Sequence, residues 1–232
     1  MLFEKKIYKK LEWLFAVYAL IFGLLLIFYV QPVKNSWDEQ IHFDNAYKLS
    51  FTKNIDWTEA ALNIKNINTV TCNTKAEYAE LREYMNQAGK VHVYTEKKEN
   101  IVPSYTVLAY VPQAIFLKLG RIFHFSFSLM YAFGKIGNLL LYISVMFWAI
   151  KIAKIKQLFL LFLTLMPTNL FLASSYTYDT VVFSFFTLGC VIWVNEMFFY
   201  ESKTSAKKII FMILLFTIGA FRKLYIYQLF YW

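Results

Sequence analysis

The chain has 232 residues, of which 59% are hydrophobic, 20% aromatic and only 17% charged. A soluble domain is about half apolar and about a quarter charged, and here the apolar excess lies in blocks, which excludes a soluble domain. The low polar content also excludes a disordered chain. The formal net charge of +9 comes from lysines at the ends of apolar blocks. Lipid headgroups rather than nucleic acid are the expected partners of such lysines.

The apolar blocks predict an all-α membrane protein that forms a single membrane domain over 1–232. About five transmembrane spans are expected, at approximately 13–30, 127–150, 158–173, 180–200 and 209–232. The first span is about long enough to cross a bilayer and lacks a following small-x-small cleavage pattern, so it is interpreted as an uncleaved anchor. The sequence ends inside the fifth predicted span, as a truncated product would.

Between the first two spans, residues 31–126 form a long loop that is predicted to contain helices. Its last part, 104–125, is apolar but carries Pro112 and the basic residues Lys118, Arg121 and His124 at intervals of three. This pattern favours a helix in the membrane interface over one that crosses it. A cytoplasmic N-terminus then puts this loop outside and both later lysine clusters (151/154/156 and 203/207/208) inside.

Three polar groups of residues near the predicted outer surface are candidates for a site. In the first, Asp38 and His42 share a helix face and Glu39 is adjacent, which suits a carboxylate base or a divalent metal site. The alternative is a solvated helix start, in which Ser36 and Glu39 form a capping box.

The second candidate is 174–179, a polar turn in which Asp179 either caps the fourth span or contributes to the site. The third is Arg222-Lys223-Leu224-Tyr225, whose cations either reach the headgroups or bind an anion. Lys135 could add a further cation. Carboxylates and cations on one side of the membrane would suit the handling of a lipid phosphate.

Five stretches carry a resemblance to a known family. They are Trp37–Phe43 (WDEQIHF), 110–113 (YVPQ), 135–138 (KIGN), 166–179 (MPTNLFLASSYTYD) and 223–225 (KLY). Through them the chain resembles the DUF2142 family of bacterial multi-spanning membrane proteins. That family is in turn similar to the C-type (GT-C) membrane glycosyltransferases, which use polyprenyl-phosphate sugars.

The resemblance implies an inverting transferase in the bacterial cell membrane, or the N-terminal half of one, acting on a polyprenyl-phosphate-linked sugar and a cell-envelope acceptor. Asp38 would be the base, with Glu39 and His42 beside it. The lipid phosphate would be bound by residues from the other polar groups: Lys135, Tyr176, Asp179, Arg222, Lys223 and Tyr225. No cofactor is certain, although a divalent metal would fit. The alternative is a non-enzymatic membrane protein, such as a transporter subunit or an envelope-assembly partner.

Overall fold

A computed structural model describes residues 10–30, 38–50, 74–77, 79, 80, 83, 109–199 and 205–219. Within these ranges all regular secondary structure is helical, which confirms the predicted all-α class. The helices are α1 (Leu11–Leu25, continued by a π-helical turn Leu26–Val30), α2 (Glu39–Ser50), α3 (Val111–Ile122), α4 (Phe127–Ile152), α5 (Gln157–Thr164), α6 (Pro167–Ala173), α7 (Asp179–Phe198) and α8 (Ala206–Gly219).

Three of these described helices are long and apolar enough to cross a membrane. They are α1 with its π-helical turn, α4 and α7, of 20, 26 and 20 residues. At about 1.5 Å per residue, 20 residues reach the roughly 30 Å of a hydrocarbon core. Many large apolar side chains on α1 and α7 are exposed, as lipid-facing positions require. The chain is therefore an all-α membrane protein.

The region predicted as the third span, 158–173, contains two short helices. α5 and α6 have 8 and 7 residues, and α6 begins at Pro167. Proline has no N–H and disfavours helical geometry at the residue before it, so one helix does not continue through this point. The predicted fifth span extends to 232, and only its part up to Gly219 lies in the described residues.

The basic pattern expected along 104–125 is only partly present on α3. Twelve residues correspond to about 18 Å, too short to span the membrane. His124 is not on the helix, because α3 ends at Ile122 and His124 adopts a left-handed conformation. Arg121 turns toward α2 and donates to the carbonyl and hydroxyl oxygens of Ser50 at 2.7 and 2.8 Å. Of the three basic residues, Lys118 alone is an exposed side chain on the helix.

The described residues fall into two compact units, whose boundary falls within α1, α4 and α6. One contains the described residues up to Gly23, together with Leu139–Phe171 and those from Tyr178 onward. In it Phe15 of α1 contacts Tyr142, whose hydroxyl donates to Thr164 O at 2.6 Å. The other contains the described residues from Leu24 to Asn138 and the segment Leu172–Thr177. This second unit holds the polar cluster described next.

Candidate functional site

A buried ion pair lies at the centre of the second unit. Glu39, the first residue of α2, places its Oε1 2.6 Å from Nζ of Lys135 on α4, and both side chains are fully buried. Charged residues are almost never fully buried unless they are paired. The backbone N–H of Tyr176 also donates to Glu39 Oε1, at 3.3 Å. The carboxylate thus joins three separate parts of the chain.

Aromatic rings surround this pair. Phe43 of α2 packs against Tyr131 and Tyr176 at centroid distances of 4.7 and 5.0 Å. The ring of Tyr131 lies 5.2 Å from Lys135 Nζ, within range of a cation–π contact. Rings exclude water while their faces still favour the ammonium group. The surroundings therefore keep the pair dry and strengthen its attraction.

Side-chain amides fix the segment 174–177 beside the pair. Gln113 of α3 donates to the carbonyl of Thr177 at 2.7 Å. Asn138 of α4 donates to the carbonyl of Ser175 at 2.9 Å. This segment lies outside regular structure, so buried backbone groups need such partners. The amides supply them and hold the Tyr176 N–H toward Glu39.

Tyr176 fills the space next to Gly134 of α4. Its hydroxyl donates to the carbonyl of Tyr131 at 2.7 Å, and the ring is fully buried. A Cβ at position 134 would overlap that hydroxyl, so only glycine lets the ring approach the helix here. Burial, assisted by the charge of Glu39, raises the pKa of Tyr176 well above its ordinary value. The buried phenol keeps its proton, which it donates to the Tyr131 carbonyl.

Asp38 lies just outside the cluster and is exposed. Its φ of 56° is a left-handed conformation that aspartate tolerates better than most residues. Its carbonyl accepts the His42 N–H at 3.1 Å, so Asp38 is the N-cap residue of α2. The predicted capping box is wrong for this reason: it requires Glu39 at the third helical position, but Glu39 is at the first and binds Lys135.

His42 is directed at a different partner from either acid. Its Nδ1 lies 2.7 Å from the hydroxyl of Tyr110, the residue that precedes α3. Glu39 is bound to Lys135, and Asp38 is on the surface. Across the described ranges no group of three His, Cys, Asp or Glu side chains is placed to hold a metal ion. The hypothesis of a divalent metal site at Asp38, Glu39 and His42 therefore has no geometric support among the described residues.

The structure thus brings together only some of the predicted site residues. Glu39, Lys135 and Tyr176 form one cluster, and the N-cap Asp38 and His42 adjoin it on α2. Asp179 is the first residue of α7 and belongs to the other compact unit. The remaining predicted site residues, Arg222, Lys223 and Tyr225, lie outside the described residues.

Several residues of the cluster had no predicted role. Gln113 and Asn138 lie in the YVPQ and KIGN stretches, and Tyr131 lies one turn before Lys135. Two buried polar atoms, Gln113 Oε1 and Ser174 Oγ, have no hydrogen-bond partner among the described residues. The sequence offers one signal for this cluster, which is Lys135 itself. A lysine within an apolar helix indicates that an acidic partner lies close to it.

Comparison with known proteins supports one assignment. The model of a family described as predicted membrane protein (DUF2142) matches residues 20–231. No curated protein and no solved structure matches the chain. The match covers both compact units, including the acidic start of α2, the Lys135 helix and the 174–177 segment. The chain therefore belongs to the DUF2142 family of predicted membrane proteins.

Proposed function

We propose that the protein is a glycosyltransferase-like membrane enzyme, or the N-terminal part of one. It would transfer a sugar from a polyprenyl-phosphate donor to a cell-envelope acceptor at the outer face of a bacterial cell membrane, with its N-terminus in the cytoplasm. The observation that carries this proposal is the start of α2. There an exposed carboxylate, Asp38, is adjacent to a fully buried ion-paired one, Glu39.

Asp38 is assigned as the general base. In the proposed step the acceptor hydroxyl gives its proton to this carboxylate while its oxygen bonds to the anomeric carbon. The bond from that carbon to the phosphate oxygen breaks, and the polyprenyl phosphate leaves with the electron pair. A single displacement inverts the anomeric centre. Asp38 suits this role because its exposed side chain can reach a substrate, whereas Glu39 is enclosed.

Glu39, Lys135 and Tyr176 are proposed to position Asp38 rather than to touch substrate. The charges of Glu39 and Lys135 neutralise each other. Their bond, with the Tyr176 N–H, fixes the first turn of α2, so the N-cap residue is held in one place. A general base must be held within hydrogen-bond reach of the proton that it accepts, and a rigid start of α2 would hold Asp38 in that position. His42 contributes by linking α2 to Tyr110.

The resemblance assigns the lipid phosphate to the remaining cations, Arg222 and Lys223, together with Tyr225 and Asp179. Cations at a phosphate stabilise the charge that develops as it leaves. This part of the proposal rests on the resemblance and on residue type, since 222–225 lie outside the described residues.

The test is sugar transfer from radiolabelled polyprenyl-phosphate hexoses by membranes that contain the protein. Asp38→Asn should lower the rate by about a hundredfold or more, the usual contribution of a general base. Glu196→Gln, which alters a carboxylate of the other compact unit, should leave the rate unchanged. Normal transfer by a well-inserted Asp38→Asn protein would remove Asp38 from the mechanism.

One observation favours the non-enzymatic alternative. Two residues expected to perform chemistry, Glu39 and Lys135, are each other's partners in a closed cluster. A transporter subunit or an envelope-assembly partner could keep such a cluster purely for structure. Binding of polyprenyl-phosphate sugars without turnover, in the wild type and the Asp38→Asn variant alike, would support this alternative.

A further inference from the structure

A second, unrelated feature lies in the other compact unit. α5 and α7 enclose a partly open cavity of about 540 Å³. Its walls are almost entirely apolar, with Phe159, Leu163, Phe183 and Phe186 among the lining residues. The size is that of a small-molecule site, and the lining is that of a site for an apolar ligand. Phe159 and Phe186 are themselves largely exposed, which leaves the cavity accessible from the side.

Basic residues lie at one end of this cavity. Lys156, the N-cap residue of α5, is part of the lining. Lys151 and Lys154 precede it, and their ammonium groups lie over the rings of Trp148 and Phe199 at 4.7 and 5.2 Å. Lysines combined with aromatic rings at the end of a spanning helix are typical of the headgroup level of a membrane. The cavity is thus apolar along its walls and basic at one end, where Lys151, Lys154 and Lys156 form its rim.

The acidic residue next to Asn195, which lines the cavity, is already occupied. Glu196 forms an ion pair with Lys208 at 2.7 Å. The neighbouring Asn195 bonds to backbone instead: its amide donates to Ile152 O at 2.8 Å and its Oδ1 accepts the Lys154 N–H at 3.0 Å. No carboxylate in the described part of the chain forms an ion pair with Lys156. The rim therefore retains a positive charge suited to an external anion.

We propose that this cavity binds one acyl chain of an anionic phospholipid, whose phosphate is held by Lys156 with Lys151 and Lys154 around it. A ligand that is apolar along its length and anionic at one end matches the distribution of apolar and basic residues. In the predicted topology the three lysines are cytoplasmic and Asp38 is outside. This lipid is therefore distinct from the proposed sugar donor, and the inference does not depend on the transferase proposal.

The test is native mass spectrometry of the protein released from mixed nanodiscs that contain equal amounts of phosphatidylglycerol and phosphatidylcholine with identical chains. We expect preferential retention of phosphatidylglycerol. Lys156→Ala should lower its retention about fivefold, the effect of one lysine at an anionic membrane surface. Lys207→Ala, an exposed lysine of α8 that does not line the cavity, is the matched control and should retain it normally.

A second variant tests the apolar part. Leu163→Trp would fill the cavity and should reduce the retention of phosphatidylglycerol. The circular dichroism spectrum should stay that of the wild type. Equal retention of the two lipids, or retention of phosphatidylglycerol unaffected by Lys156→Ala, would overturn the proposal. So would a protein dimer that Leu163→Trp dissociates, because a second copy would then be the occupant.

Discussion

Glu39 and Lys135 are two opposite charges that lie wholly inside the protein. Taking them out of water costs several kcal/mol for each, and their mutual attraction offsets that cost only with good geometry and further hydrogen bonds. The separation of 2.6 Å, the Tyr176 N–H and the Tyr131 ring supply both. A buried pair of this kind adds little net stability, because its attraction mainly offsets the cost of its own desolvation.

Removing one partner of this pair should be far worse than removing both. Glu39→Gln or Lys135→Met alone would leave one buried charge uncompensated and should destabilise the protein by about 3–5 kcal/mol. The double variant should recover much of that loss. The measurement is the midpoint of thermal unfolding in detergent, followed by size-exclusion chromatography.

The partly exposed pair Glu196–Lys208 provides the control, because the Lys208 side chain is 58% exposed. Breaking a pair of this kind should cost no more than about 1 kcal/mol. Equal effects at the two pairs would mean that Glu39 and Lys135 are not buried together.

Gly134 gives a second prediction at this scale. Alanine usually stabilises a helix relative to glycine by about 1 kcal/mol. Here Gly134→Ala should instead destabilise by about 1–3 kcal/mol, since the new methyl group meets the Tyr176 hydroxyl. Tyr176→Phe in the same protein should restore part of the loss. A Gly134→Ala protein that melts higher than wild type would contradict the packing described for Tyr176.

Single residues also show what the sequence could predict. The acidic start of α2, Lys135 and Tyr176 were all singled out, because polar groups in an apolar chain require a reason. Their pairing was not predicted. The resemblance assigns Lys135 to a lipid phosphate, and the structure shows that Lys135 also pairs with Glu39, far away along the chain. Periodicity relates neighbours within one helix and contains no information on which helices meet.

At the scale of the helices, composition predicts well which helices are long and apolar enough to span the membrane. It predicts less well where a helix is interrupted. α4 and α7 follow from long apolar runs that contain few charged residues. The interruption between α5 and α6 occurs at Pro167, and composition alone does not distinguish it from a proline that a span tolerates. Within the long loop that is predicted to contain helices, a helix begins at residue 75, where Thr74 and Glu77 exchange backbone–side-chain hydrogen bonds of 3.2 Å.

Arg121 links α3 to α2, and this contact can be tested. Arg121→Ala removes two charge-assisted hydrogen bonds to Ser50 and a cation–π contact with Tyr47. Such bonds contribute about 1.5–3 kcal/mol each, so amide hydrogen exchange should become faster along α2. Lys118→Ala, an exposed position on the same helix, should leave exchange in α2 unchanged. Similar exchange in both variants would show that Arg121 does not hold α2.

At the scale of the whole molecule, the described residues form two units with different chemistry. One holds the buried ion pair and the exposed Asp38, and the other holds the apolar cavity with its basic rim. The overall class was predictable because the bilayer imposes a length and a polarity on every span. Orientation rests on the lysine distribution alone, and the transferase proposal depends on it.

The most direct test of that proposal is therefore the side of the membrane on which the acidic loop lies. Cys72 lies in the same predicted loop as Asp38, and the other cysteine, Cys190, is within α7. Intact cells would be treated with a membrane-impermeant thiol reagent, with Cys72→Ser as the control. The proposal predicts that Cys72 is labelled without permeabilisation, on the side where lipid-linked sugars are used. Labelling only after permeabilisation would place Asp38 in the cytoplasm and contradict the proposed site and its chemistry.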